Sequence, residues 1–319
     1  MPEQACGISR RRFLQITAAA GALLAGGRLL SHHRLHTIRE TRTLMGTVIN
    51  LALVTPDAAA GQAAIQRTFG EMARLIALFD YRQPQTPLAR LNRTGRLAAP
   101  PVELVELLFH ARSYSELTGG AFDVTVKPLL DGSAALVDYR QLLVGRDEIR
   151  LGRPGMAVTL DGIAKGRVVD GAVTVLHSHG FDNVLVEAGG DLFGRGARGD
   201  GRPWRVGVTH PRAGEGAVVA SFSVEACAVA TSGDYQHFFV PDFSEHHIVD
   251  PRSGRSPLEL ASATVLAPSA TDADALSTAC LVLGKEAALS LLERLPNVAG
   301  LLVTKEMARL ATTNFPSEI

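Results

Sequence analysis

Residues 158–191 read VTLDGIAKGRVVDGAVTVLHSHGFDNVLVEAGGD, and this stretch constrains the chain more than any other. Residues 157–160 suit a short strand, and Asp161-Gly162 breaks it. From Ile163 onward, Val168, Val169, Ala172, Val173 and Leu176 fall on one face of a helix. Gly180 follows the last periodic residue, where a left-handed cap is easiest for glycine. Residues 184–186 form a second strand, and Glu187 and Asp191 then flank Gly189-Gly190. Such a unit sets backbone amides and Lys165 at a helix N-terminus, a favourable place for a phosphate. The same pattern also fits an ordinary strand–helix–strand crossover whose glycines only make turns.

The surrounding pattern mixes strands and helices. Residues 39–54 alternate as one strand that contains Met45-Gly46-Thr47. Asp57 caps a helix running to about Phe79, with Ile65, Phe69, Met72, Leu75, Ile76 and Phe79 facing inward. A proline-containing loop follows, with Tyr81, Arg82 and Asn92 open to solvent or ligand. Another helix covers about 102–117 and stops at Gly119-Gly120; the chain is then weakly structured to Pro154. Residues 204–209 and 218–224 form an antiparallel pair, and 226–230 lead through Ser232-Gly233-Asp234-Tyr235 into a turn-rich loop. A strand at 263–267, helices from Asp272 and Lys285, and two terminal strands at 298–303 and 307–312 close the chain. No regular βαβ alternation is present, which favours α+β, with mixed or antiparallel sheets packed against helices.

At 319 residues and 46% hydrophobic, the chain is long enough for a sizeable core. Lys+Arg and Asp+Glu both number 32, so no overall basic field points to nucleic acid. The N-terminus carries Ser9-Arg10-Arg11-Arg12-Phe13-Leu14 before a short Ala/Gly/Leu run, the pattern of a signal segment of the twin-arginine type. The expected organisation is a signal over 1–30, a linker over 31–39 and one catalytic domain over 40–319, exported to the periplasm by the twin-arginine machinery. An uncleaved signal would retain it at the inner membrane. His32, His33 and His36 read as an exposed linker. Cys227 and Cys280 could pair in an oxidising compartment, although Cys280 sits in a pattern that suits a buried small residue.

The chemistry-bearing positions are few. Asp274 and Thr278 stand at i and i+4, so both oxygens share one helix face, a hard-oxygen pair suited to Mg²⁺. Asp272 and Asp274 also suit a simple helix start. His247 precedes Asp250-Pro251, where a histidine can act as a base or ligand contact. No dinucleotide-binding glycine motif, phosphate-binding P-loop, nucleophile elbow or zinc spacing is present.

Taken in order, MGT at 45–47, GGAFDVTVKPLL at 119–130, LDGIAKG at 160–166, VEAGGDL at 186–192, TSGDY at 231–235, HIVDPRSG at 247–254 and ADALSTACLVLG at 273–284 resemble the ApbE family of FAD:protein FMN transferases. The resemblance spans roughly 40–312 and implies an ApbE-like (T-fold-like) architecture in an exported enzyme. It implies Mg²⁺-dependent transfer of FMN from FAD to a threonine or serine hydroxyl of a target flavoprotein, such as one of a respiratory complex, with AMP leaving. The Gly162 carbonyl, Asp274 and Thr278 would hold the metal, with Ser277 beside them. Met45, Tyr81, Ala121, Phe122, Asp123, Asp161, Lys165, His247 and Val249 would contact FAD. Asp123 would meet the adenine or ribose edge and Lys165 the phosphates, while His247 would accept the target hydroxyl proton or contact a phosphate. Many members carry Asp-x-Gly-Gly-x-Ala-Lys-Gly in the central turn; here it reads Thr159-Leu160-Asp161-Gly162-Ile163-Ala164-Lys165-Gly166, so Asp161 or the Thr159 hydroxyl substitutes. Two other readings fit the same residues: an FAD pyrophosphatase yielding FMN and AMP, and a non-catalytic periplasmic FAD-binding or delivery protein.

Overall fold

A computed structural model describes residues 35–214 and 216–317; the expected signal, with His32 and His33, lies outside them. The chain opens as a hairpin, β1 (His36–Leu44) and β2 (Thr47–Thr55), paired from His36 opposite Thr55 to Leu44 opposite Thr47. The single strand expected over 39–54 is therefore two. Met45 and Gly46 form the connection at φ +54° and +70°, the left-handed pair of a two-residue turn whose twist matches that of the strands. β1 also takes His36–Arg39 from the expected linker.

Helix α1 (Ala58–Phe79) starts as expected at Asp57, whose side chain accepts the Ala60 N–H at 2.9 Å. The expected proline loop is partly helical, as α2 (Pro87–Thr94). Thr86 accepts the Ala89 N–H, Pro87 stands in the first turn, where its missing donor costs nothing, and Gly95 closes the helix at φ +69°. β3 (Arg96–Ala98), α3 (Val102–Leu117) and α4 (Lys127–Leu130) follow, then β4 (Leu142–Val144) and β5 (Glu148–Leu151). The stretch expected to be weakly structured thus supplies β4 and β5, which join β3 in a small antiparallel sheet of order β3-β5-β4.

Residues 157–160 do not form the expected strand. The Asn92 side chain brackets Val158, accepting its N–H at 2.7 Å and donating to its carbonyl at 2.8 Å. The Thr159 N–H goes to the Val124 carbonyl. These backbone groups find partners without a neighbouring strand, so the segment joins no sheet. Helix α5 (Ala164–Ser178) buries Val168, Val169, Ala172 and Leu176, as its periodicity predicts, and Gly180 ends it at φ +83°.

Next come β6 (Val184–Ala188), β7 (Asp191–Arg195), β8 (Trp204–Thr209), β9 (Val218–Val224), β10 (Cys227–Gly233) and β11 (Leu260–Ala267). Helices α6 (Ala270–Leu283) and α7 (Lys285–Arg294) and strands β12 (Ala299–Thr304) and β13 (Arg309–Ala311) complete the fold. The main sheet is antiparallel at every pairing, in the order β1-β2-β6-β7-β10-β11-β12-β13. This is the expected α+β class. Ile49, Leu51, Val186 and Val265 face a core shared with α1, α5 and α6. Ala52, Val54, Leu192 and Val229 face the other way, under Trp204, Val206 and Phe222 of the β8–β9 hairpin. No helix among the described residues is long and apolar enough to cross a membrane. Cys227 and Cys280 are buried thiols not joined to each other.

Candidate functional site

The start of α5 and the first turns of α6 meet where the sheet's central strands end. The approach is close because position 166 is glycine: a Cβ there would sit 2.1 Å from the Ala270 carbonyl oxygen. The Gly166 N–H consequently reaches an Asp274 carboxylate oxygen at 3.0 Å. Lys165 Nζ lies 2.5 Å from Asp191 and 3.3 Å from Asp274. Both carboxylates are buried, at 1% and 2% exposure, while the lysine is partly open. One cation thus faces two buried carboxyl groups held away from water. Burial, then the Asp274 charge, pushes Asp191 above the usual carboxylate range. Burial opposes the Lys165 charge, but the two carboxylates more than offset it and hold the ammonium above the usual lysine range.

Thr278 sits one turn beyond Asp274 in a chain of hydroxyls whose polarity follows from proton counting. Ser277 Oγ donates to the Asp274 carbonyl at 3.0 Å, so its contact with Ser232 at 2.9 Å uses the Ser232 proton. Ser232 therefore accepts from Thr278 at 3.1 Å. The Thr278 oxygen is left with lone pairs to offer. Beside it lies the Gly162 backbone, where a Cβ would meet Thr278 Oγ1 and Phe122 at 3.2 Å, closer than side chains normally pack. A carboxylate, an oriented hydroxyl and a backbone turn form a donor set that suits a hard divalent cation. No group of three His, Cys, Asp or Glu side chains placed to hold a metal is found among the described residues. A metal here would therefore complete its shell with water or substrate oxygens.

The remaining expected contacts are distributed around this centre. Tyr81 and Arg82 both meet Asp161: the phenol donates at 3.4 Å, and the guanidinium pairs at 3.2 and 3.0 Å. Of the two candidates for the displaced aspartate, Asp161 is exposed, whereas Thr159 is buried and its hydroxyl accepts the Asp161 N–H. Ala121, Phe122 and Asp123 are buried. Both Asp123 oxygens are occupied, one by the Thr125 amide and hydroxyl and the other by the Tyr139 N–H, so this carboxylate staples its own loop. Met45 occupies the β1–β2 turn and packs on the helix-side core, and Val249 is half-buried beyond His247.

His247 is half-buried, with its N–H donated to the His237 carbonyl at 2.9 Å and its ring edge-on to His237 at 5.2 Å. Burial pushes its imidazole down to about 4, and the charges of His237, His246 and Lys165 act in the same direction. A separate cleft of about 490 Å³ opens on the β8–β9 side of the sheet, lined by Thr47, Asn50, Glu187, Gly189 and Tyr235 and by none of the expected FAD contacts.

Asp191 and Ser232 belong to the centre and are absent from the sequence-based set of site residues. Their motifs, VEAGGDL and TSGDY, are visible in the sequence. No local spacing links them to Asp274, because the connection runs across neighbouring strands.

A family model described as the ApbE family matches residues 45–302. The chain is 31% identical over 308 residues to the FAD:protein FMN transferase of Treponema pallidum (strain Nichols), covering 85% of each chain. It is 28% identical over 299 residues to that of Escherichia coli (strain K12), covering 85% of this chain and 84% of the relative. Among solved structures, the apo flavinyl transferase ApbE of Pseudomonas stutzeri superposes with a TM-score of 0.79 at 27% identity, over 88% of this chain and 96% of that one. The ApbE protein of Thermotoga maritima gives a TM-score of 0.80 at 28% identity, over 88% and 98%. Seven motifs in register, an antiparallel sheet carrying the α5–α6 centre and these likenesses agree: the chain belongs to the ApbE family.

Proposed function

We propose that the protein transfers FMN from FAD to a threonine or serine hydroxyl of a target flavoprotein, in a Mg²⁺-dependent reaction that releases AMP. The observation that carries this reading is the α5–α6 centre: two buried carboxyl groups, one lysine and a hydroxyl whose proton is engaged by Ser232, next to a side-chain-free turn. Phosphoryl transfer asks a protein mainly to position its reactants and neutralise charge. Asp274, Thr278 and the Gly162 carbonyl would hold Mg²⁺, which when bound supplies charge neutralisation at the pyrophosphate. Lys165 contributes a fixed positive charge beside it. His247, neutral at physiological pH because burial lowers its basicity, accepts the proton of the attacking hydroxyl. The bond between the FMN phosphorus and the AMP oxygen breaks, the acceptor oxygen bonds to that phosphorus, and AMP leaves with the bridging oxygen.

The twin-arginine pattern at residues 9–14 supports a periplasmic site of action, where the acceptor would be a periplasm-facing flavoprotein. Fractionation of cells expressing the full chain, with and without Arg10→Lys/Arg11→Lys, tests this; equal amounts in the periplasm would refute it. For the activity, purified protein is incubated with FAD, Mg²⁺ and candidate flavoprotein domains. The expected products are an acceptor that stays fluorescent on a denaturing gel and an equal amount of AMP. AMP and free FMN without labelled acceptor would instead identify a pyrophosphatase, and bound FAD without AMP a carrier. Asp274→Ala is expected to abolish Mg²⁺-dependent turnover; undiminished activity in that variant would remove Asp274 from the metal site.

A further inference from the structure

After β10 the chain doubles back as a short hairpin before it reaches His247. Phe238 and His246 face each other across it, the Phe239 N–H donates to the Glu245 carbonyl at 2.8 Å, and the His247–His237 bond is the last rung. The reversal passes through Pro241 and Asp242 and is closed by the Phe243 N–H on the Val240 carbonyl at 3.0 Å. Phe243 then takes φ +59°, a left-handed conformation that a bulky side chain rarely adopts.

Such a conformation persists only where surrounding contacts over-determine it. The Phe243 ring lies under the Arg212 guanidinium at 4.0 Å and edge-on to Phe238 at 4.7 Å. Its carbonyl accepts Lys305 Nζ at 2.7 Å. Both cations converge on Asp234, which is fully buried. Arg212 donates to it twice, at 2.8 and 2.6 Å, and Lys305 lies 3.5 Å away. Arg212 comes from the β8–β9 connection and Lys305 from the β12–β13 turn, so separate parts of the fold are drawn to one carboxylate. Asp234 directly follows β10, two residues after Ser232, the hydroxyl that orients Thr278.

We propose that Phe243, clamped by Arg212 and Lys305 on the buried Asp234, is a positioning residue that holds the 237–247 hairpin and so fixes the place of His247, which closes it. This rests on the reading of His247 as the proton acceptor. The clamp acts through the hairpin and touches no reacting group. It registers the loop against β10, the strand that also fixes Ser232, so both halves of the site share one reference.

Phe243→Gly separates positioning from local stability, because glycine adopts φ +59° without a steric penalty. A purely local role for the ring predicts unchanged transfer. The positioning role predicts a melting temperature held within about 2 °C, since lost packing is offset by relieved strain. It also predicts a kcat for FMN transfer lowered about tenfold or more, with KM for FAD within about twofold. By hydrogen exchange, the His247 and Phe239 amides should open at least about tenfold faster than in the wild type. Phe243→Tyr keeps the ring over Arg212 and should restore kcat. Unchanged kcat or unchanged amide exchange in Phe243→Gly overturns the proposal. So does a loss of kcat that merely tracks loss of folded protein in both Phe243→Gly and Phe243→Asn. His247→Ala distinguishes the two levels. If that variant still transfers FMN, the proton-acceptor reading has failed; if it is inactive while Phe243→Gly is fully active, only the positioning role has.

Discussion

Lys165→Met removes the only side chain that forms an ion pair with Asp191 or Asp274 among the described residues. At 3.3 Å and an effective dielectric constant near 20, the attraction to Asp274 alone is about 5 kcal/mol. Part of this is returned, because the ammonium no longer has to be desolvated. Breaking a buried pair by deleting one partner costs about 3–5 kcal/mol. The lysine side chain is 27% exposed, which places the expected cost at the low end, about 3 kcal/mol. For a chain of this size that lowers the melting temperature by about 6–12 °C in Mg²⁺-free buffer. The loss comes from buried carboxyl groups left without their cation and not from a cavity, so it should respond to charge. Adding Asp191→Asn to Lys165→Met should recover at least about 1.5 kcal/mol, a coupling that a double-mutant cycle reads directly. Millimolar Mg²⁺ should raise the melting temperature of Lys165→Met more than that of the wild type. Asp191 is already held above the usual range, so its protonated form is favoured in the folded state; the deficit of Lys165→Met should shrink as pH falls from 8 to 5. A fall of less than 2 °C, or a further loss on adding Asp191→Asn, would refute this account of the centre.

Gly166→Ala should cost about 3 kcal/mol or more, because its Cβ would stand 2.1 Å from the Ala270 carbonyl oxygen and 2.7 Å from the Thr271 nitrogen, both backbone. A variant melting within 2 °C of the wild type would show that α5 and α6 can separate freely. His247 carries a folded-state value of about 4, below its ordinary 6.5, so the unfolded chain binds a proton between these limits that the folded chain does not. Its stabilising contribution is complete above about pH 6.5 and is lost as pH falls toward 4, by about 2 kcal/mol between pH 7.5 and 5. Denaturant midpoints at those two pH values should therefore fall further for the wild type than for His247→Gln, and equal falls would contradict the shift. In kcat/KM the acidic limb assigned to His247 should lie near pH 4; a limb near 6.5 that disappears in His247→Gln would show a solvated imidazole instead.

Where a feature depends on neighbours in sequence, the amino-acid order was sufficient. Asp57 and Gly180 marked the start of α1 and the end of α5 because caps are made within a few residues. The inward faces of both helices followed from their period, and the β8–β9 pair from alternation. The absence of βαβ order favoured α+β over a doubly wound sheet. The order of seven short motifs was enough to point to the family. Helix α2 was legible in principle from Thr86-Pro87 and Gly95, but two prolines made the same residues look like a loop.

Tertiary structure decided what local order leaves degenerate. A run of alternating residues from 39 to 54 is compatible with one strand or two, and the left-handed turn at Met45-Gly46 divides it. Residues 157–160 have a strand's composition but no strand beside them, since Asn92 and Val124 take their backbone groups first. Asp123, expected at the ligand, has both oxygens engaged in its own loop. Asp191 and Ser232 joined Asp274 and Thr278 only when β7, β10 and α6 were packed together. Hydroxyl polarity, the raised proton affinity of Asp191 and the weakened basicity of His247 all arise between groups distant in sequence. Such interactions depend on separation in space and on exclusion of water, and neither is encoded in the spacing of residues along the chain.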